Sequence, residues 1–382
     1  MQFINTNTGF ACGDAGTVLA TVNGGTTWTP INITTTYPVR GIYFTSALQG
    51  WAVCGDPNSY ASSGQLWVTN NGGAMWNSVT WPGTPYALLS LQFFNDTTGY
   101  IAGTHYTAGT GADTYYTSNK GTSWAPNPSN IDWNWIYSVS FRNADTGWMI
   151  GDNQTKGQIF YTANNGGTWT IQNSTTTFYY GISFPNSKDG FVVGASGTIL
   201  ATINSGTAWN TQTSGTSQQL NGVAFPSSET GWTAGNSGTI LMTSNAGSNW
   251  NAETSGTTQN LNGIYALDTV TAWTVGDGGT ILKREAVSGI GVIENNMEIT
   301  TYPNPFSVST KISFNSTDRN SSIHIFDLTG REVTGSMNIL KEYNGDKQVI
   351  TLVRSGLQDG IYFFDIITEG AKTGSGKLVI VE

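Results

Sequence analysis

The sequence predicts an all-β protein, with a seven-bladed β-propeller followed by a small C-terminal β-sandwich. Short apolar runs alternate with turns rich in Gly, Asn, Ser and Thr, and no segment keeps the 3.6-residue period of a helix. A turn motif that ends in Trp recurs every 40 to 48 residues, and a small residue followed by an aromatic one recurs between these turns. Repeats of this length containing several short strands are typical of propeller blades.

The turn motif is represented by residues 162–169, TANNGGTW. Its Asn and Gly residues tolerate the positive φ that a tight turn between strands requires. The Trp that closes each copy is expected to cover the face of its blade and to pack against the next blade. These structural residues are Trp28, Trp76, Trp124, Trp169, Trp209 and Trp250.

The second marker occurs seven times, and it is the reason for predicting seven blades. It begins at residues 9, 50, 99, 147, 190, 231 and 272. In one blade we predict strands at Leu220–Phe225, Gly231–Gly235, Thr239–Thr243 and Asn249–Glu253. The first blade begins part-way through a strand and the last lacks a fourth strand. We therefore expect either a missing natural beginning, including any signal peptide, or a ring that closes with a three-stranded blade.

These repeats resemble two known patterns. The turn resembles the Asp-box, or BNR, repeat Ser/Thr-x-Asp-x-Gly-x-Thr-Trp, although no copy has Asp at the third position. The longer unit, LxxIxF followed by GWxxGxxGxILxTxxGGxxW, resembles the seven-bladed propellers of the photosystem II stability and assembly factor family. The resemblance covers about residues 1–285 and implies a fold rather than a function.

The chain changes character after Glu285. All 14 Trp residues precede this point, residues 286–298 are interpreted as a linker, and residues 299–382 contain the alternating runs of a small sandwich. This last segment closely resembles the type A C-terminal sorting domain of type IX secretion. The resemblance lies in the motifs YPNPF, IFDLTG, GIYF and KLVI, which contain Tyr302, Pro303, Asn304, Pro305, Phe306, Gly330, Gly360, Tyr362 and Lys377.

The resemblance implies export from a Gram-negative bacterium, either into the medium or onto the cell surface. The implied partners are the type IX secretion machinery and its sortase. Members of that family often lose the domain by cleavage and become attached to surface lipopolysaccharide. Here the cut would fall in or near residues 286–300.

Composition limits the remaining partners. The formal net charge is −9 and no basic stripe is present, which argues against nucleic acid and anionic membranes. Two His and two Cys residues cannot complete a usual metal-ligand set, so neither a metal nor a cofactor is expected. Cys12 and Cys54 are interpreted either as buried small apolar residues or as a bond between neighbouring repeats.

Catalysis is not expected. A sialidase needs three arginines that converge on its substrate, whereas Arg40, Arg142 and Arg284 occupy unrelated positions of the repeat. Other glycosidases need two carboxylates across a cleft, and the Asp residues that follow Gly, such as Asp152, are interpreted as turn residues. A secreted glycoside hydrolase and a structural subunit of an extracellular assembly are kept as alternatives to a binding module.

The predicted binding surface is an aromatic sector on blades two to five. It lies where the segments between blades meet the turns after the second strands, because alternating strand direction places both on one face of the ring. Aromatic rings stack on sugars or bury peptide side chains, so the expected ligand is a glycan or a protein. The alternative is that some of these rings, such as Tyr179, belong to the core. The candidate residues are Tyr37, Arg40, Tyr86, Trp133, Trp135, Phe178, Tyr179 and Tyr180.

Overall fold

A computed structural model describes residues 1–57, 63–79, 85–104, 114–127, 135–284, 299–316, 321–345, 347–368 and 371–382. The chain divides into two compact units, Met1–Ala286 and Val287–Glu382. The described regular structure consists of strands and four 3-10 turns, at Ala195–Gly197, Asn236–Gly238, Asp277–Gly279 and Thr334–Ser336. The predicted all-β fold is therefore confirmed. The predicted linker, residues 286–298, and the candidate Trp133 lie outside the described residues.

The first unit contains seven consecutive antiparallel groups of strands, numbered here as blades one to seven. Blades one and two comprise β1 Gln2–Phe3, β2 Gly9–Cys12, β3 Val18–Thr21, β4 Thr29–Ile31, β5 Val39–Phe44, β6 Gly50–Cys54, β7 Gln65–Thr69 and β8 Asn77–Ser78. Blades three and four comprise β9 Ala87–Phe93, β10 Gly99–Thr104, β11 Thr114–Thr117, β12 Ala125–Pro126, β13 Trp135–Phe141, β14 Gly147–Asp152, β15 Gly157–Thr162 and β16 Thr170–Thr175. The pair Thr104 and Trp135 joins blades three and four into one sheet.

The remaining blades follow the same order of strands. Blade five comprises β17 Tyr179–Ser183, β18 Gly190–Gly194, β19 Ile199–Thr202 and β20 Asn210–Gln212. Blade six comprises β21 Leu220–Ala224, β22 Gly231–Gly235, β23 Ile240–Thr243 and β24 Asn251–Glu253. Blade seven has three strands within the described residues, β25 Leu261–Ala266, β26 Ala272–Gly276 and β27 Ile281–Arg284.

The four strands predicted for blade six are present, with small shifts at their ends. The third strand begins at Ile240 rather than Thr239. Thr239 instead closes the preceding 3-10 turn, where its amide and its hydroxyl both donate to the carbonyl of Asn236, at 3.1 and 2.7 Å.

Neighbouring blades are joined by stacked aromatic rings. A Phe at the end of a first strand stacks on the aromatic residue of the preceding blade's second strand, as Phe44 does on Phe10 with centroids 3.6 Å apart. The closing Trp meets the same Phe edge-on, as Trp76 does at 6.0 Å. Trp76 also packs in one core cluster with Phe10 and Ile31 of blade one.

The closing Trp therefore packs towards the preceding blade, and the expectation that it contacts the next blade was wrong. The turn that precedes the Trp also lies close against the preceding blade. A Cβ added at Gly121, in the turn of blade three, would lie 2.3 Å from the indole nitrogen of Trp51 in blade two.

The turn motif is held by its own side chains. In residues 162–169, the Thr162 hydroxyl accepts from the amide of Gly166 at 2.9 Å. The side-chain oxygen of Asn164 accepts from the amide of Thr168 at 2.9 Å and from the Thr162 hydroxyl at 2.9 Å. An Asn oxygen thus supplies the acceptor positions that Asp would supply, so the motif is a neutral structural turn.

The ring of blades closes through aromatic contacts between blades seven and one. The rings of Phe3 and Trp273 are stacked with centroids 3.5 Å apart. The Tyr265 hydroxyl donates to the Phe3 carbonyl at 2.7 Å, and the Trp273 indole donates to the Gly24 carbonyl at 3.2 Å. These contacts join residues separated by about 250 positions in sequence.

The two cysteines lie in the cluster shared by blades one and two. Both are free thiols, with Cys54 fully buried and Cys12 half-buried. Burial, with the nearby Cys12 as a smaller contribution, raises the pKa of the Cys54 thiol to about 12. The structure thus has two small residues packed in this cluster rather than a bond between neighbouring repeats.

The second unit consists of two antiparallel sheets. One contains β28 Thr300–Tyr302, β29 Ser309–Asn315, β32 Lys347–Arg354 and β31 Met337–Asn344, in that order. The other contains β30 Ser322–Phe326, β33 Gly360–Thr368 and β34 Ala371–Ile380. Side chains from both sheets form one buried cluster that includes Phe314, Ile325, Leu352 and Phe364.

Candidate functional site

The first strands of blades two to seven share an irregularity at one place. In each of them the pairing with the second strand shifts by one residue, which is the mark of a β-bulge. A bulge re-aims the extra side chain away from strict alternation. The six bulge residues are half-buried or exposed, and they are Arg40, Leu89, Tyr137, Tyr180, Asn221 and Asn262.

The bulges of blades four and five border a pocket of about 270 Å³. Four aromatic rings line this pocket. Two belong to Trp135 and Tyr137 of β13, and two belong to Phe178 and Tyr180 at the start of blade five. Asp152 and Gln154, at the end of β14 and just after it, complete the lining. We refer to these six residues as the blade 4–5 pocket.

The rings of the blade 4–5 pocket meet at steep angles. Tyr137 lies edge-on to Trp135, with centroids 6.4 Å apart, and edge-on to Tyr180, with centroids 5.8 Å apart. Edge-to-face contacts of this kind are favourable, and each one holds a ring in a defined orientation. The walls of the pocket therefore consist mainly of aromatic rings whose orientations are held by these contacts.

One carboxylate lies among these rings. Asp152 is 4% exposed, and its Oδ2 accepts from the Tyr137 hydroxyl at 2.6 Å. Its Oδ1 accepts from the backbone amide of Gln154, also at 2.6 Å. Gln154 has a φ of 70°, so this turn keeps a left-handed backbone without Gly. Burial, and to a smaller extent the charge of Asp152, raises the pKa of Tyr180 above its ordinary value.

Three of the predicted binding residues, Trp135, Phe178 and Tyr180, meet in this pocket. Tyr179 does not, because its side chain is 1% exposed and packs in the core, with its hydroxyl donating to Asn173 Oδ1 at 2.9 Å. Tyr179 is therefore a core residue, as the alternative interpretation of the sequence had it.

The other described candidates lie in different surroundings. Tyr37 is half-buried against the core cluster of blades one and two. Arg40 forms an ion pair with Asp14, with Nη1 and Oδ1 3.8 Å apart. Tyr86 is half-buried, and its carbonyl accepts from the amide of Ser63 at 2.8 Å. None of these three lines the blade 4–5 pocket.

Three further pocket residues, Tyr137, Asp152 and Gln154, are not among the predicted binding residues. Asp152 does act as a turn residue, since it accepts from the Gln154 amide, but it also faces the pocket. Strand alternation could not have placed Tyr137 beside Trp135, because Tyr137 is itself the bulge residue of β13.

In the second unit, the YPNPF and KLVI motifs are joined. Asn304 donates from Nδ2 to the Lys377 carbonyl at 2.7 Å and accepts at Oδ1 from the Val379 amide at 2.8 Å. Phe306 is buried in the core, and its amide donates to the Val379 carbonyl at 3.0 Å. Tyr302 is 81% exposed.

Two glycines of the other motifs lie in a turn and at the start of a strand. Gly330, with a φ of 82°, closes the turn after β30, and the preceding Asp327 accepts from the amides of Thr329 and Arg331. Gly360 begins β33, and Tyr362 in that strand donates to the carbonyl of Gln358 at 3.0 Å.

Two family comparisons match parts of this arrangement. Residues 161–285 match the family described as photosynthesis system II assembly factor YCF48. Residues 300–381 match the secretion system C-terminal sorting domain. Residues 161–285 thus carry BNR-type repeats of a β-propeller, and residues 300–381 form a type IX sorting domain. Because the sorting domain directs export, the propeller is a secreted protein. No curated protein sequence matches the chain significantly.

Solved structures agree on the fold of the propeller. The structure of YCF48 bound to D1 peptide is 17% identical, with a TM-score of 0.61 over 74% of this chain and 91% of that chain. YCF48 from Cyanidioschyzon merolae is 19% identical, with a TM-score of 0.59 over 74% and 94%. The GH74 xyloglucanase from Xanthomonas campestris is 9% identical, with a TM-score of 0.62 over 82% of this chain and 57% of that chain. At these identities the similarity concerns the fold alone.

Two kinds of site are not found in the described part of the chain. Within it, no group of three or more His, Cys, Asp and Glu side chains could hold a metal ion. No helix among the same residues has the length and apolarity needed to span a bilayer.

Proposed function

We propose that the propeller is a secreted, non-catalytic binding module whose ligand, a glycan or a protein, docks at the blade 4–5 pocket. The observation that carries this proposal is the convergence of Trp135, Tyr137, Phe178 and Tyr180 around one open pocket. Half-buried aromatic rings beside a small number of fixed polar groups are characteristic of ligand sites.

The size of the pocket supports a small inserted group. Its volume is about 270 Å³, below the roughly 300–1,000 Å³ that is usual for small-molecule sites. One sugar ring or one amino-acid side chain fits such a volume. A longer glycan or a protein would then contact the surrounding face of the ring as well.

The similarity to a peptide-bound propeller is consistent with a protein ligand. The structure of YCF48 bound to D1 peptide has the same fold as this chain. A propeller of this kind can therefore present a peptide-binding surface, although the two sequences are only 17% identical.

A glycoside hydrolase is the main competing function, because the fold also resembles a GH74 xyloglucanase. Hydrolysis would need two carboxyl groups that face each other across the sugar. The blade 4–5 pocket contains one, Asp152. Arginines do not converge there either, since Arg142 donates to the Phe184 carbonyl and Arg284 pairs with Glu253.

A glycan array and a peptide array probed with the full chain test the binding function. Trp135→Ala and Tyr180→Ala should each weaken every genuine signal at least about tenfold, since each removes a wall of the pocket. Asn262→Ala is the matched control, because it changes the same bulge position in blade seven. Unchanged binding by both pocket variants would refute the proposal. Turnover of chromogenic glycosides would favour the hydrolase, and ordered polymers in electron micrographs would favour a structural subunit.

Export supplies a second set of proposed partners. We propose that the type IX machinery and its sortase recognise the sorting domain, and that the propeller is then attached to surface lipopolysaccharide. Asn304→Ala removes the side-chain hydrogen bonds between the YPNPF motif and β34. This variant should reduce the secreted fraction of the full chain. Equal secretion of this variant and the parent protein would contradict recognition through that motif.

A further inference from the structure

The carboxylate of Asp152 lacks a cationic partner in the described structure. The ion pairs found among the described residues do not include it. Its two hydrogen bonds come from neutral donors, the Tyr137 hydroxyl and the Gln154 amide. A carboxylate that is 4% exposed is normally paired, because an isolated charge is costly to remove from water.

Blade one shows a cationic partner at this position. Asp14 occupies in blade one the place that Asp152 occupies in blade four, directly after the Gly that ends the second-strand motif. The bulge residue of the following blade, Arg40, pairs with Asp14 at 3.8 Å. In blade five the equivalent bulge residue is Tyr180. The cation beside Asp14 is thus replaced by an aromatic ring beside Asp152.

The rings around Asp152 suit a positive charge. The face of an aromatic ring carries negative potential, and several rings around one pocket form the usual site for an alkylammonium group. Trp135, Tyr137, Phe178 and Tyr180 supply the rings, and Asp152 supplies the countercharge.

We propose that the blade 4–5 pocket is an aromatic cage for one alkylammonium group, the side chain of a lysine or methylated lysine on a protein partner. The inference rests on the proposed binding function and specifies its ligand. The lysine stem is apolar and would lie along the rings while the ammonium group approaches Asp152. A pocket of about 270 Å³ accepts one such side chain.

Two small probes test the charge requirement directly. Choline carries a quaternary ammonium group, and 3,3-dimethyl-1-butanol is its neutral isostere. Titration of the full chain with each, followed through the indole signal of Trp135 in ¹H–¹⁵N spectra, should give at least about tenfold tighter binding of choline. Equal affinity for the two probes would overturn the inference.

Peptide and vesicle experiments identify the source of the group. Peptides containing lysine or trimethyllysine should bind, and the same peptides with norleucine at that position should bind at least about tenfold more weakly. Phosphatidylcholine vesicles should not retain the protein. Retention on vesicles with no peptide binding would overturn the assignment to a protein partner.

Two substitutions separate the inference from the proposed function. Asp152→Asn removes the charge, and Tyr180→Arg supplies the cation internally, as Arg40 does beside Asp14. Both should reduce choline binding at least about tenfold, whereas Asp14→Asn should not. Thermal melting of each variant identifies any that fails to fold. Neutral sugar binding that depends on Trp135 but not on the Asp152 charge would refute the ammonium ligand and leave the binding function intact.

Discussion

The ring of Phe3 in the first blade stacks on the ring of Trp273 in the last, with centroids 3.5 Å apart and planes 12° apart. The same pairing of a first-strand Phe with the preceding blade's second-strand ring occurs between blades four and five, where Phe184 stacks on Trp148 at 3.7 Å. The contact that closes the ring therefore uses the contact that joins its other blades. It differs in that its partners lie at opposite ends of the propeller sequence.

Removing this contact should open the ring at its seam. Phe3→Ala is expected to lower the free energy of unfolding by about 3–5 kcal/mol, because it leaves a cavity against Trp273 and Trp28. Phe3→Leu keeps most of the volume and should cost less. Denaturant unfolding followed by Trp fluorescence measures both. Val22→Ala is the control, since Val22 is 79% exposed and should change stability by less than about 0.5 kcal/mol. Equal stability of Phe3→Ala and this control would contradict the role of the seam.

The turn of residues 162–169 should tolerate Asp but not Ala at position 164. Asn164→Ala removes the acceptor for the Thr168 amide and the Thr162 hydroxyl, and should cost about 1–2 kcal/mol. Asn164→Asp keeps an oxygen at that place and should cost less than Asn164→Ala. Urea unfolding of the two variants gives the comparison. A larger loss for Asp than for Ala would contradict the acceptor role of the side chain at position 164.

The Cys54 thiol should be unreactive in the folded protein. Because burial raises its pKa to about 12, almost no thiolate is present at pH 8. In a Cys12→Ala variant, a disulfide reagent should label Cys54 only after denaturation. The Cys54→Ala variant reports separately on the half-buried Cys12. Rapid labelling of Cys54 in the native state would show that the space between blades one and two opens readily.

The turn after β30 in the sorting domain should resist acid. Hydrogen bonds, the largest from the Thr329 hydroxyl, lower the pKa of Asp327 to about 2. Because folding lowers this pKa, the carboxylate stabilises the folded state above its unfolded pKa of about 4. That contribution disappears as the pH falls through about 2. A carbon-13 titration of the carboxyl group should therefore have its midpoint near 2, and a midpoint near 4 would contradict these hydrogen bonds. Asp327→Asn should remove this pH dependence from the melting temperature.

The sequence by itself determined the architecture. The spacing of the closing Trp residues, and that of the small residue followed by an aromatic one, was sufficient to predict the repeat. Each blade must carry its own turn and its own packing ring. The motifs around Asn304 and Lys377 were sufficient for the sorting domain. These features are local in sequence, so they can be recognised without coordinates.

The tertiary structure alone decided which aromatic residues line the blade 4–5 pocket. Tyr179 and Tyr180 are adjacent, yet one is core and the other lines the blade 4–5 pocket. Strict alternation cannot be extended through a β-bulge, since the extra residue shifts the faces of the residues beyond it. The role of Asp152 also depended on its neighbours: the same turn position is an exposed ion pair beside Arg40 in blade one and a buried, unpaired carboxylate beside Tyr180 in the described part of blade four. Burial and charge compensation arise between blades, where residues distant in sequence meet.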